Sequence, residues 1–301
     1  MGVPRGIPFL FGQSRAPPAH TSNGGILVLK EMLENVRAKM PLIHCITNYV
    51  TVNDCANILL ACGGSPIMAD DGNEVEEITA LCQGLYLNIG TLNERTIVSM
   101  LKAGKKANAL SHPILLDPVG AGASNLRTTT TQRLMDEIRF SVIRGNVSEI
   151  KTVSLGKGTT KGVDADISDR ITPENQEESV AFAKALSART GAVIVITGAI
   201  DIIADNQKAY IIRNGHPMMS KITGTGCMLS AMITAFIAAN PSHKTEAATA
   251  AVCAMGLGGE LAYEKMQQTQ SGTGSFRTYL MDAVSLMEGD LLEGGAKIES
   301  R

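Results

Sequence analysis

One pattern governs the chain from about residue 28 onward: short aliphatic runs, each followed by a longer stretch with apolar residues at helical spacing. A run too short for a helix and too apolar for a loop is a buried strand. Buried strands that alternate with helices form a parallel sheet covered on both faces. The runs fall at 42–46, 65–68, 85–89, 113–117, 141–143 and 192–197. The spacing predicts helices over 28–36, 52–62, 74–82, 93–109, 131–138 and 173–190, the last with Pro173 in its first turn. Two more strands, 201–204 and 209–213, join around Asp205-Asn206 as a hairpin, which puts antiparallel strands at one edge. The final third is helical over 226–239, 245–266 and 276–291. The expected fold is α/β, a mostly parallel central sheet with helices on both faces, made by residues 27–301 as a single domain. Residues 1–26, rich in Pro and Gly and without an acidic residue, are expected to be a disordered or expression-derived leader.

Composition excludes several functions. A formal net charge of -2 with no dense basic tract leaves no counterion-displacing face, so no nucleic-acid partner is expected. No apolar run approaches the length of a membrane span. The six cysteines lie scattered in apolar segments without a C-x-x-C pair, which fits reduced, buried thiols in the cytoplasm rather than a zinc site or a disulfide scaffold. No histidine pair has metal-ligand spacing, and neither a G-x-S-x-G elbow nor a Walker P-loop is present.

In an open sheet of this kind ligands sit beyond the C-terminal ends of the strands. The densest polar segment in such a place is Thr223-Gly224-Thr225-Gly226-Cys227, glycines at the mouth of the 226–239 helix. A helix N-terminus carries unpaired amides and a partial positive charge, and glycine lets an anion approach them. An anion hole at Gly224, Thr225 and Gly226 is what phosphoryl transfer needs; a plain Gly-rich turn explains the same letters. Cys227 lies beside those amides, where thiolate is favoured. It can accept a proton from a substrate alcohol, or it can merely fill space beneath the loop.

A second segment, Arg144-Gly145-Asn146-Val147-Ser148-Glu149, also follows a strand. Asn146 is placed to cap the next helix, with Glu149 as its capping-box partner. Functionally, Glu149 and Asp117, which closes the 113–117 run, are two carboxylates for one Mg²⁺, and Arg144 can meet a phosphate. Asp117 also suits the turn at Pro118. Thr197 closes another strand within reach of a phosphate. Asn48 and Met68 close the first two strands, where they can line a small apolar pocket or serve only as turn and core.

The segments I-T-N at 46–48, S-P-I-M-A at 65–69, D-P-V-G at 117–120, R-G-N-x-x-E at 144–149, I-T-G at 196–198 and T-G-T-G-C at 223–227 occur in the order and spacing of one family. From about residue 28 to 291 the chain resembles the hydroxyethylthiazole kinases of the ribokinase-like superfamily. The resemblance implies a ribokinase-like three-layer sandwich. It implies ATP-dependent phosphorylation of the primary alcohol of 4-methyl-5-(2-hydroxyethyl)thiazole in thiamine salvage, with Mg²⁺ as cofactor. It places Met68 at the thiazole with Asn48 nearby, Arg144 and Thr197 at ATP together with Asn146 of the same segment, and Gly224 on the substrate side of the anion hole. Cys227 stands where most ribokinase-like enzymes carry an aspartate base. That departure favours thiazole kinases over pyridoxal, pyrimidine or sugar kinases, and over lyases acting on hydrated nicotinamide nucleotides. The family also implies a homotrimer with active sites between subunits.

Overall fold

The computed structural model describes residues 28–155 and 170–301. The leader expected at 1–26 lies outside the described residues. Each aliphatic run is a strand: β1 Leu42–Ile46, β2 Ser65–Ile67, β3 Gly84–Asn88, β4 Ile114–Asp117, β5 Val142–Gly145 and β6 Val193–Ile196. The hairpin forms as β7 Asp201–Ala204 and β8 Ala209–Ile212, and a last strand, β9 Ile298–Ser300, pairs with β8. The helices are α1 Leu29–Lys39, α2 Val52–Cys62, α3 Val75–Leu81, α4 Glu94–Ala109, α5 Asn125–Glu137, α6 Val147–Ser154, α7 Gln176–Thr190, α8 Thr225–Ala239, α9 Lys244–Gln268, α10 Thr273–Ser285 and α11 Gly289–Gly295. A 3-10 turn, Pro217–Lys221, precedes α8.

Among the described residues the strands form one nine-stranded sheet in the order β2-β1-β3-β4-β5-β6-β7-β8-β9. Strands β1 to β6 pair in parallel, and β7, β8 and β9 are antiparallel. Strand side chains alternate between faces, and two separate cores result. Ile43, Cys45, Tyr86, Leu115, Val142 and Val195 face the layer of α1, α2 and α8–α11. Ile46, Leu85, Leu87, Leu116, Ile143 and Ile194 face the layer of α3–α7. The mostly parallel sheet with helices on both faces is thus as the alternation implies. Helix α8 is buried nearly all round, because it lies on β1, β3 and β4 beneath α2 and α9. No described helix is long and apolar enough to cross a membrane.

Four boundaries differ from expectation. Helix α5 begins at Asn125, six residues before the expected 131, with Ser124 accepting a bond from the Arg127 amide. Its threonines are poor helix formers in isolation, but Thr129 and Thr131 turn their hydroxyls onto the carbonyls of Asn125 and Arg127. Pro173 does not open α7. It sits in the turn before it, where the Asn175 side chain accepts from the Thr172 amide at 2.7 Å. The expected 276–291 helix is two, broken at Leu286–Glu288 so that both Met287 and Leu292 are buried. Strand β9 was not expected, since a three-residue run carries no periodicity.

Candidate active site

Parallel strands end on one side of the sheet, and the ends of β1, β3, β4, β5 and β6 bring Asn48, Asn88, Asp117, Arg144 and Thr197 together there. They meet the N-terminus of α8, and the cleft between them measures about 370 Å³. Asn48, Arg144, Asn146, Glu149, Gly224, Gly226 and Cys227 all line it.

Gly224 makes the entry to α8 in the left-handed region, φ +87°. A Cβ there would lie 2.6 Å from Thr51 Cγ2. The first intrahelical bond runs from the Met228 amide to the Gly224 carbonyl at 2.8 Å. The amides of Thr225, Gly226 and Cys227 therefore precede the ladder and are free for an anion. Gly226 is required for a different reason: a Cβ would lie 2.5 Å from Arg144 Nη1. Only glycine lets the guanidinium rest on the helix mouth. The Thr225 hydroxyl bonds the Met219 carbonyl at 3.4 Å and does not line the cleft.

Arg144 donates to Thr197 Oγ1 at 2.6 Å and lies 3.6 Å from Asp117 Oδ1. Burial works against the Arg144 charge, but Asp117 and Glu149 outweigh it and push its pKa up. Asp117 is fully buried. Its Oδ2 accepts from Tyr86 Oη, Asn88 Nδ2 and Ser230 Oγ at 3.1, 3.0 and 2.9 Å. Its Oδ1 has no hydrogen-bond partner among the described residues. Burial pushes the Asp117 carboxyl up, and Arg144 offsets only part of this.

The capping box at α6 is formed in full: Asn146 Oδ1 accepts from the Glu149 amide at 2.9 Å, and Glu149 Oε2 accepts from the Asn146 amide at 2.8 Å. Glu149 Oε1 also accepts from the Gly120 amide at 2.8 Å, which ties α6 to the loop after β4. Cys227, the third residue of α8, is 8% exposed, and its sulfur lies 3.3 Å from Asn48 Nδ2 and 3.4 Å from Asn88 Nδ2.

Met68 stands apart. It follows the edge strand β2, is 36% exposed, and does not line the cleft of its own chain. Conversely, the structure adds residues that the sequence did not single out. Asn88, Tyr86 and Ser230 complete the buried polar network. Arg127 lines the cleft and straps two strand-end loops together by donating to the carbonyls of Val119 and Gly90 at 2.5 and 2.6 Å. Among the described residues no cluster of three or more His, Cys, Asp or Glu side chains could hold a metal ion.

The Hydroxyethylthiazole kinase family model matches residues 33–289. A hydroxyethylthiazole kinase of Clostridium acetobutylicum is 62% identical over 273 residues, which is 91% of this chain and 100% of that one. The solved structure of a hydroxyethylthiazole kinase protein from Pyrococcus horikoshii OT3 is similar with a TM-score of 0.78 at 32% identity, covering 91% of this chain and 98% of the other. A ribokinase-like superfamily protein of Enterococcus faecalis shares the fold, with a TM-score of 0.53 at 13% identity over 90% of this chain and 93% of the other.

Proposed function

The chain belongs to the hydroxyethylthiazole kinase family, a family of phosphotransferases with ATP as co-substrate, and from that premise we propose how the cleft at the α8 N-terminus works. The reaction is transfer of the γ-phosphoryl group of ATP to the primary alcohol of 4-methyl-5-(2-hydroxyethyl)thiazole, giving the thiazole phosphate for thiamine salvage. One observation carries the assignment. Free amides at the α8 N-terminus, the Arg144 guanidinium and the Cys227 sulfur meet at one cleft, on the side of the sheet where every parallel strand ends.

The amides of 225–227 hydrogen-bond the oxygens of the transferring group as charge builds there. Arg144, anchored through Thr197 and resting on Gly226, faces the same charge, and Asn146 lines the nucleotide side of the cleft. The substrate alcohol lies on the Gly224 and Asn48 side and loses its proton to Cys227. Asp117 and Glu149 fit a Mg²⁺ ion. The buried Oδ1 of Asp117 accepts no hydrogen bond, with Arg144 Nη1 at 3.6 Å, and Glu149 lines the cleft, so both suit a hard cation that keeps several waters. Such an ion, when bound, neutralises charge on the ATP phosphates.

Met68 takes part as the thiazole contact of a neighbouring subunit's cleft. Met68, Tyr49 and Val50 follow the C-terminal ends of β2 and β1 and are 36%, 78% and 57% exposed, an apolar group at the sheet edge that supports a homotrimer with sites between subunits. Residues 27–301 act as one catalytic domain. The six free, buried cysteines support a place in the cytoplasm.

The test is ADP release with Mg-ATP, offering hydroxyethylthiazole, hydroxymethylpyrimidine and pyridoxal in parallel. Turnover with the thiazole alcohol alone, with the phosphorylated product identified by mass, is expected. Turnover only with another alcohol moves the substrate. No turnover with any of them, followed by ATP-dependent dehydration of hydrated NADH, replaces the kinase by a lyase.

A further inference from the structure

Two carboxamides next to Cys227 are oriented by backbone groups, and their orientation determines what the sulfur can do. Asn88 Oδ1 accepts from the Gly90 amide at 2.9 Å, so its nitrogen must point the other way. Asn48 Oδ1 accepts from the Thr51 amide and hydroxyl, both at 3.1 Å, with the same consequence. Both nitrogens therefore face the Cys227 sulfur, at 3.3 Å from Asn48 and 3.4 Å from Asn88. Asn48 also donates to Asn88 Oδ1 at 3.0 Å, which locks the two amides to each other.

Asn88 has two N–H hydrogens and three acceptors within range. Tyr86 Oη lies at 2.7 Å and Asp117 Oδ2 at 3.0 Å. Because the Tyr86 hydroxyl donates to Asp117 Oδ2, these two acceptors form one neighbouring pair that a single hydrogen can serve. The second hydrogen is left for the sulfur. Among the described residues the sulfur donates to no protein acceptor, so its own proton, when present, can point only into the cleft. The titratable groups in electrostatic reach of the sulfur are Cys55 on α2, Tyr86 on β3 and Arg144 on β5, with Asp117 on β4 behind Asn88.

We propose that Asn88, together with Asn48, is the positioning residue that holds the Cys227 sulfur as a hydrogen-bond acceptor, ready to take the proton of the substrate alcohol. The inference rests on the assignment of Cys227 as proton acceptor, and nothing in the family pattern quoted above includes Asn88. Buried at 1% exposure, Asn88 does not line the cleft and reaches the alcohol through the sulfur, while its nitrogen's other contacts run to Tyr86 and Asp117.

The test compares wild type, Asn88→Ala, Asn48→Ala and Cys227→Ala. Alkylation of Cys227 by iodoacetamide is followed against pH by peptide mass spectrometry, with Cys227→Ala as background for the other thiols. A hydrogen bond to a charged group is worth on the order of one pKa unit. The half-maximal pH of alkylation is therefore expected to rise by about one unit in Asn88→Ala, with kcat about tenfold lower and the KM for Mg-ATP within about twofold of wild type. A merely structural Asn88 would lower the melting temperature without moving the alkylation profile. Superimposable profiles in the folded variants, or a wild-type thiol that resists alkylation at every pH, overturn the proposal. Should Asn88→Ala not fold, Asn48→Ala tests the same clamp from the other side. If Cys227→Ala keeps wild-type kcat while the alkylation profile still shifts, the base assignment falls and the clamp stands.

Discussion

Gly226 shows how one missing side chain shapes the cleft. The position a Cβ would take is 2.5 Å from Arg144 Nη1, and Arg144 has little room to yield because it is held by Thr197 and lies beside Asp117. Gly226→Val is expected to lower kcat by about 10²–10³-fold, the usual loss when an oxyanion donor is removed, and to lower the melting temperature as well, because the side chain displaces Arg144. A soluble variant with wild-type kcat would rule out the anion-hole assignment. Gly224 differs, because its φ of +87° and its contact with Thr51 both oppose a side chain. Gly224→Ala is expected to destabilise the fold by about 1–3 kcal/mol, measurable by denaturant titration. At this scale the sequence shows residues that end strands, such as Asp117, Arg144 and Thr197, because a polar residue after an aliphatic run stands out. It does not show Asn88, which lies inside a run between Leu87 and Ile89, nor Arg127, which lies outside the helix expected at 131–138. Their roles arise from neighbours far away in the chain.

Local hydrogen bonding ties the elements to the site. The Asn146–Glu149 box opens α6 and, through Gly120, fixes the loop after β4. Asn146→Ala is expected to cost about 1 kcal/mol and to lower the melting temperature by about 2–4 °C. A rise in the KM for ATP with no thermal change would mean that Asn146 acts on the nucleotide alone. His44 joins β1 to α3 and to the segment after β2: its Nε2 donates to the Ala69 carbonyl at 2.8 Å, and its Nδ1 lies 2.9 Å from the Thr79 hydroxyl, which itself donates to the Val75 carbonyl at 2.6 Å. Burial holds the His44 pKa below its ordinary value. A depressed histidine contributes stability above its unfolded value and loses it as pH falls, because the unfolded chain takes up the proton first. Acid destabilisation from this group begins near pH ~6.5. His44→Gln is expected to show a smaller drop in melting temperature between pH ~7.5 and ~5.5 than wild type; equal drops would assign the loss to other groups. The elements legible in the sequence are those whose caps or periodicity are local, such as α2 with Gly63 and α4 with Asn93. The α10–α11 break and β9 depend on burial of Met287 and on pairing with β8, which no local pattern encodes.

The nine-stranded sheet is the part of the molecule most legible in the sequence, because alternating runs leave few other arrangements. The candidate site follows from it for the residues at the ends of β1 and β3–β6, but Met68, just after the edge strand, does not line the cleft of its own chain. The homotrimer proposed above would reconcile this, since a heterologous contact repeated by rotation would bring the β2 edge of one chain to the cleft of the next. The arrangement is testable by complementation. In that arrangement Met68→Glu would put a charge at the proposed thiazole contact, and Gly226→Val would block the proposed anion hole; each homogeneous protein is expected to be nearly inactive. In mixed trimers some clefts combine an intact Met68 from one chain with an intact Gly226 from another. Random assembly of equal amounts makes about a quarter of the clefts intact, so about a quarter of wild-type activity should return on co-expression and not on late mixing of preformed assemblies. If each cleft were complete within one chain, no mixture would recover activity at any ratio. Met68 would then owe its position to the sheet edge alone.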